Sequence, residues 1–409
     1  MGEVELKIKK AEAATRGDNQ SPVGSFPVSS LASCFQGFSC PDEKFNEPFF
    51  ETVTTSYAQE VVRLFLQTYA DELEQKARGL TILLRDWLAG ESTSAMVWHP
   101  AFGGAFRALT ERDAEPAAAG LALRLSACGS AADWEVQLGR SMRFLWDNWL
   151  LPRADALSVR SDGSHALLSL RLGRIRREAE FTRAGHGWRG TGAEAMPRIG
   201  PAGAEIILLP AGGVGAHDFR DLNLPLLEKI GKKDVRVCRQ ALEILEAHAP
   251  AYYRWVFRIV RQVVLLRPEN ELLRSGGETN LLALIYMSCV AKPMALAEML
   301  VHEASHHYFN LLCRVGPPDD GTDKNLYFSP AVNRPRPLDR ILIAYHAFAN
   351  ISLLYRLCLD GGVADDGYCR AGLSQMLPQL EQLESPLRDN PALTPVGRAL
   401  FEPLFSRLH

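Results

Sequence analysis

Three residues of the stretch "AEMLVHEASHHYFNLL", 297–312, stand where metal chemistry would need them: His302, Glu303 and His306 form HExxH, with His307 directly behind. On a helix this spacing stacks two imidazoles one turn apart on one face and sets a carboxylate beside them. Two such imidazoles suit a divalent transition metal, and the ion then needs at least one more ligand. Position 309 is Phe and 312 is Leu, and no glutamate follows Glu303 until Glu381, so the third ligand of the best-known HExxH peptidases is missing. Two sources remain open. His346, in "DRILIAYHAFANISLLYRL", lies on the next expected helix, and Asp319, Asp320 and Asp323 lie in the loop between. In "NRPRPLDR", Arg334, Arg336 and Arg340 come just before the His346 helix. Guanidinium groups beside a metal suit a small dicarboxylate, which they clamp at the end away from the ion. Glu303 is the candidate catalytic carboxylate. Ser305 and Asn350 are candidate hydrogen-bond donors near the ligands.

These residues need rigid elements behind them. Pro293 suits a first helical turn and Gly316-Pro317-Pro318 a stop, which predicts a helix over 294–315 with Leu296, Met299, Leu300, Phe309 and Leu312 on its buried side. Residues 316–337 carry five prolines and no period, and a loop of this length inside a compact chain reads as a binding loop or lid. Further helices are expected over 338–360 and about 370–385, and upstream over 48–89, 97–109, 133–149, 224–247, 250–266 and 279–290. "ALSVRSDGSHALLSLRL", 156–172, alternates around Ser-Asp-Gly-Ser as a hairpin does, and β character continues to about 213. An exposed hairpin over 156–190 could take up an extended peptide by strand addition. The expected fold class is α+β, mainly helical, a helical body with a small inserted antiparallel sheet. Its divisions are a polar, partly disordered extension over 1–45, a helical region over 46–150, a β-rich insert over 151–215 and a metal-bearing helical region over 216–409.

The chain has 409 residues, a net charge of −3 and a sequence pI near 6.4, which gives no electrostatic basis for nucleic acid or an acidic membrane as partner. Its eight cysteines form no CxxC pair, so zinc-ribbon and iron–sulfur readings lack ligands, and scattered thiols fit a reducing cytoplasm. The polar N-terminus has no apolar signal core, and the apolar runs are interrupted by His, Lys or Arg, so no membrane span is expected.

The chain resembles the 2-oxoglutarate-dependent HExxH peptide β-hydroxylases, the HExxH-motif peptide-modification proteins of ribosomal natural-product pathways. The resemblance runs through "WHPAF" (98–102), "EIILLPAGG…DFRDLNLPLL" (205–227), "ALEILEAHAPAYYRWVFRIVRQVVLL" (241–266), "ETNLLALIYMSCVAKPMALAEMLVHEASHHYFNLL" (278–312) and "YFSPAVNRPRPLDRILIAYHAFANISLLYRL" (327–357). It implies an Fe(II) enzyme with His302 and His306 as metal ligands, a third ligand from downstream, and 2-oxoglutarate and O2 as co-substrates. Arg336 best matches the family's arginine for the far carboxylate. The implied substrate is the β-carbon of a residue in a ribosomally synthesised precursor peptide, with other peptide-modifying enzymes as further partners. The resemblance implies that Glu303 would be a metal ligand or a carboxylate just behind the ligands. In the rival reading, a zinc peptidase, it activates water. A third reading is a non-catalytic peptide-binding subunit.

Overall fold

A computed structural model describes residues 34–42, 44–77, 79–90, 97–185, 187–210, 225, 227–269, 273–277 and 281–409. The fold is α+β and mainly helical, with ten helices among the described residues. Four helices come first: α1 (Glu47–Lys76), α2 (Leu80–Ala89), α3 (Pro100–Glu111) and α4 (Ala114–Ala127). Asn46 caps α1 by accepting from the Phe49 N–H, and His99 caps α3 through Nδ1 from the Ala101 N–H. The sequence reading left α4 out. It is alanine-rich and buried on nearly every side, as a helix packed closely among neighbours must be.

A five-stranded antiparallel sheet follows, in the order β1 (Ala132–Met142), β4 (Ala154–Ser161), β5 (His165–Leu172), β6 (Ile175–Ala184), β7 (Gly187–Thr191). The 156–172 hairpin is β4–β5. The helix expected over 133–149 is replaced by β1 and two short strands, β2 (Leu145–Trp146) and β3 (Trp149–Leu150), the latter pairing with β8 (Glu194–Ala195). The physical reason lies in β1, where Trp134, Val136 and Leu138 are buried and their neighbours exposed. That is a period of two, which the tryptophan spacing concealed.

The second sheet is mixed, in the order β12 (Ser275–Gly276), β13 (Leu284–Ser288), β11 (Gln262–Leu266), β10 (Ile206–Pro210), β9 (Arg198–Ile199). β10, β11 and β13 are parallel, and the two short edge strands run antiparallel. Helices α5 (Lys232–His248) and α6 (Pro250–Ile259) connect β10 to β11. The expected helices over 250–266 and 279–290 are therefore corrected: the first ends at Ile259 before β11, and β13 occupies the second. Both strands are short apolar runs, buried almost throughout. Such strands have no alternation to distinguish them from a buried helix.

The remaining helices are α7 (Pro293–Leu312), α8 (Leu338–Asp360), α9 (Asp366–Glu384) and α10 (Pro395–Leu408), the last unforeseen from sequence. The proline-rich loop contains a hairpin, β14 (Tyr327–Ser329) with β15 (Arg334–Arg336), turned by Asn333 at φ 51°. α7 lies at the centre, against α5, α6, α8 and the β12–β13 edge. The polar extension over 1–45 is corrected at its end. Phe35 and Phe38 are 3% and 0% exposed and belong to the main core, whereas residues 1–33 lie outside the described set. The average polarity of the stretch hid an aromatic pair three residues apart. α8 is long and apolar enough to cross a membrane, but 67% of its most apolar window is buried inside the protein.

Candidate metal centre

α7 delivers the two imidazoles as the spacing requires. His302 Nε2 and His306 Nε2 lie 3.0 Å apart, with the rings at 89° and their centroids 4.6 Å apart. Burial pushes the His302 imidazole down to about 4 and that of His306 well below its ordinary value, the neighbouring imidazoles adding to the latter. Both rings are neutral at pH 7, the form that binds metal. In the metal-free protein one Nε2–H can donate to the other ring. An ion held by both nitrogens would take that proton's place. Nitrogens each about 2.1 Å from one ion lie roughly 3.0 Å apart at a right angle and about 3.4 Å apart at a tetrahedral angle. The observed separation meets the short end of that range. Buried His306 Nδ1 has no hydrogen-bond partner.

Glu303 points to the same region. Its Oε1 is 3.9 Å from His302 Nε2 and accepts from Ser275 Oγ at 2.7 Å, while buried Oε2 has no partner. The side chain is 2% exposed, and burial raises its pKa to about 7 against the opposing Ser275 hydrogen bond. Ser275 sits on β12, which can lie against Tyr286 of β13 because residue 276 is glycine: a Cβ there would come within 2.2 Å of the Tyr286 hydroxyl. Sequence reasoning missed Ser275, and "RSGGETN" carries no signal that would have found it. His307 faces away, with Nε2 3.2 Å from the Leu284 carbonyl and its ring edge-on to Trp98.

The expected third ligands do not join the pair, and among the described residues no three His, Cys, Asp or Glu side chains form a group able to hold a metal ion. His346 is fully buried on α8, near enough for its field to act on His306, but its Nε2 lies 3.3 Å from the Phe38 carbonyl and its Nδ1 has no partner. With Nε2 held at Phe38, Nδ1 is the nitrogen left to take a metal. The loop aspartates are occupied locally: Asp319 accepts from the Gly321 N–H, Asp320 from Thr322, and Asp323 from Tyr327, Asn325 and Asn390. The residues present thus fit a metal at two positions.

Of the three arginines, Arg334 is exposed on β15 and Arg340 pairs with Asp339 at 3.4 Å. Arg336 is half-buried, and its buried Nε has no hydrogen-bond partner. Ser305 donates to the Val301 carbonyl one turn back, an ordinary helix contact. Asn350 binds Ser39, Tyr252 and the His346 carbonyl, so it clamps the residue 34–42 segment onto α8. One turn before His302, Glu298 accepts from the Tyr355 and Tyr368 hydroxyls at 2.6 and 2.5 Å, a cluster that sequence reading did not single out. Much of the "DFRDLNLPLL" block lies outside the described residues, which omit 211–224 and 226. Compared with protein-family models and with curated proteins, the chain matches none.

Proposed function

We propose that this chain is an Fe(II)- and 2-oxoglutarate-dependent enzyme that hydroxylates the β-carbon of a residue in a ribosomally synthesised precursor peptide in the cytoplasm. The observation that carries the reading is the 3.0 Å approach of the His302 and His306 Nε2 atoms on one face of α7. The family resemblance of the sequence supports iron over other metals, and the unpartnered Arg336 Nε supports an anionic co-substrate. When bound, Fe(II) with 2-oxoglutarate and O2 supplies the oxidising chemistry that replaces C–H by C–OH and releases succinate and CO2. The chain's own residues do the rest. His302 and His306 would hold the ion as neutral imidazoles, and a third ligand, His346 or an aspartate, would have to move in from its present contacts. Arg336, with Arg334 and Arg340 beside it in sequence, receives the far carboxylate of the keto acid. Ser275 fixes the Glu303 carboxyl next to the ligands.

Glu303 favours a second reading, a zinc-dependent peptidase. A buried carboxyl brought to about 7 is matched to general-base work at neutral pH. One experiment separates the two. Purified protein is incubated with the candidate precursor under Fe(II), ascorbate and 2-oxoglutarate, and in parallel with Zn(II), and the peptide is weighed by mass spectrometry. Gain of one oxygen atom coupled to succinate supports the hydroxylase, and cleavage with zinc alone supports the peptidase. An unchanged peptide in both arms removes both readings for that substrate.

A further inference from the structure

We propose that Glu298 is a specificity-determining residue of a cleft along α7, where it receives a basic side chain, arginine or lysine, of the peptide substrate. After Pro293, α7 is buried at every position except Glu298, His302, His306 and Asn310. Set four residues apart, these side chains form one ridge of the helix. Because α7 is buried on both flanks of that ridge, the ridge is the floor of a cleft, with the two imidazoles in its middle. From Glu298 to Asn310 the helix rises about 18 Å, the length of about five extended residues. A peptide laid along the cleft therefore passes both the imidazole pair and Glu298.

Glu298 is held rigidly for such a role. Its Oε2 accepts from the Tyr355 hydroxyl of α8 at 2.6 Å and from the Tyr368 hydroxyl of α9 at 2.5 Å. Burial first, and then the carboxylate itself, holds both phenols well above their ordinary pKa, so they remain donors. Gly372 makes room for the Tyr355 ring, since a Cβ there would lie 2.4 Å from Cε2. Oε1 of Glu298 has no hydrogen-bond partner among the described residues, and no lysine or arginine among them pairs with either oxygen. The result is a half-buried carboxylate, oriented by two neutral donors and lacking a countercharge.

That position selects its occupant. Partial burial strengthens the pull of the carboxylate on a cation, and a guanidinium or ammonium group brought by the substrate makes a charge-assisted hydrogen bond to Oε1. A neutral side chain filling the cleft would leave the carboxylate desolvated and unpaired, and an acidic one would meet like charge. Along the helix axis Glu298 lies about 9 Å from the midpoint of the imidazole pair. Side chains on one side of an extended peptide recur about every 6.7 Å, so the basic residue sits about two positions from the one over the imidazoles. The flexible stem of lysine or arginine spans the remainder. The inference rests on the proposed peptide substrate, but not on the metal or on the oxygen chemistry.

The test is a saturation-transfer NMR titration of the full-length protein with an end-blocked alanine peptide carrying one central arginine, and with its citrulline counterpart, which has the same shape and no charge. The arginine peptide should bind about tenfold or more tightly, by a margin that shrinks with salt. Glu298→Gln keeps an acceptor for both phenols and should abolish that preference while leaving the affinity for the citrulline peptide unchanged. Tyr355→Phe, which frees the carboxylate to turn, should reduce the preference in part. Circular dichroism of the variants checks that the fold is retained. No binding of the arginine peptide, equal affinity for the two peptides in the parent, a preference that survives Glu298→Gln, or an equal loss for both peptides in that variant overturns the proposal. Fe(II) uptake measured on the same protein separates the failures: uptake without the arginine preference sinks this inference alone, and the preference without uptake sinks the metal reading alone.

Discussion

Replacing Asn350 by leucine isolates one polar clamp with little change of volume. Asn350 is fully buried; its Nδ2 donates to the Ser39 carbonyl at 2.9 Å and its Oδ1 accepts from the Tyr252 hydroxyl at 2.9 Å. The His346 carbonyl, also contacted by Nδ2, retains the helical bond from residue 350. The substitution therefore orphans two buried groups, each costing about 1–3 kcal/mol, for an expected loss of about 2–6 kcal/mol. Tyr252→Phe in the same background removes one of the two orphans and should restore roughly 1–3 kcal/mol, a positive coupling in a double-mutant cycle. The assay is urea denaturation followed by tryptophan fluorescence. Asn350→Leu within about 0.5 kcal/mol of the parent, or a cycle with no coupling, refutes the claim that Asn350 fastens the 34–42 segment to α8.

Other outcomes follow from the same contacts. Phe38→Ala, at a fully buried ring edge-on to Tyr308, should cost about 3–5 kcal/mol of unfolding free energy, and a loss under about 1 would put that segment outside the core. Arg336→Ala should raise the 2-oxoglutarate concentration needed for half-maximal succinate formation about tenfold or more, with the turnover number changing less, and parent-like kinetics remove that assignment. Burial raises the Cys40 and Cys313 thiols from 9.0 to about 11 and about 12, so both should resist alkylation at pH 8 until the protein unfolds. Because these folded-state values lie above the unfolded one, their contribution to stability is intact below about pH 9. It should decline as pH rises towards 11–12, which denaturant midpoints across that range will show.

The parts of the fold legible in the sequence are those with a periodic signature of their own. α7 and α8 emerge nearly to the residue because Pro293, the Gly-Pro-Pro stop and Pro337 punctuate them. The β4–β5 hairpin emerges because Ser-Asp-Gly-Ser interrupts a clear alternation. β11 and β13 do not, since strands buried on both faces lose alternation and imitate helix. Within the site, the His302–His306 pair is local and its spacing alone brings the rings together. Ser275 reaches Glu303 across 28 positions through sheet pairing, and Phe38 reaches His346 across 308. No local pattern encodes either contact. His346 shows the complementary failure: sequence placed it on the correct helix but could not orient its ring.

The most direct test is anaerobic Fe(II) titration by calorimetry of the parent protein, His302→Ala and His306→Ala, with thermal unfolding of each to verify folding. One ion per chain in the parent and loss of that uptake in both folded variants is the predicted result. Uptake that persists unchanged in either variant, or a parent that takes up no Fe(II), contradicts a metal seat at these two nitrogens.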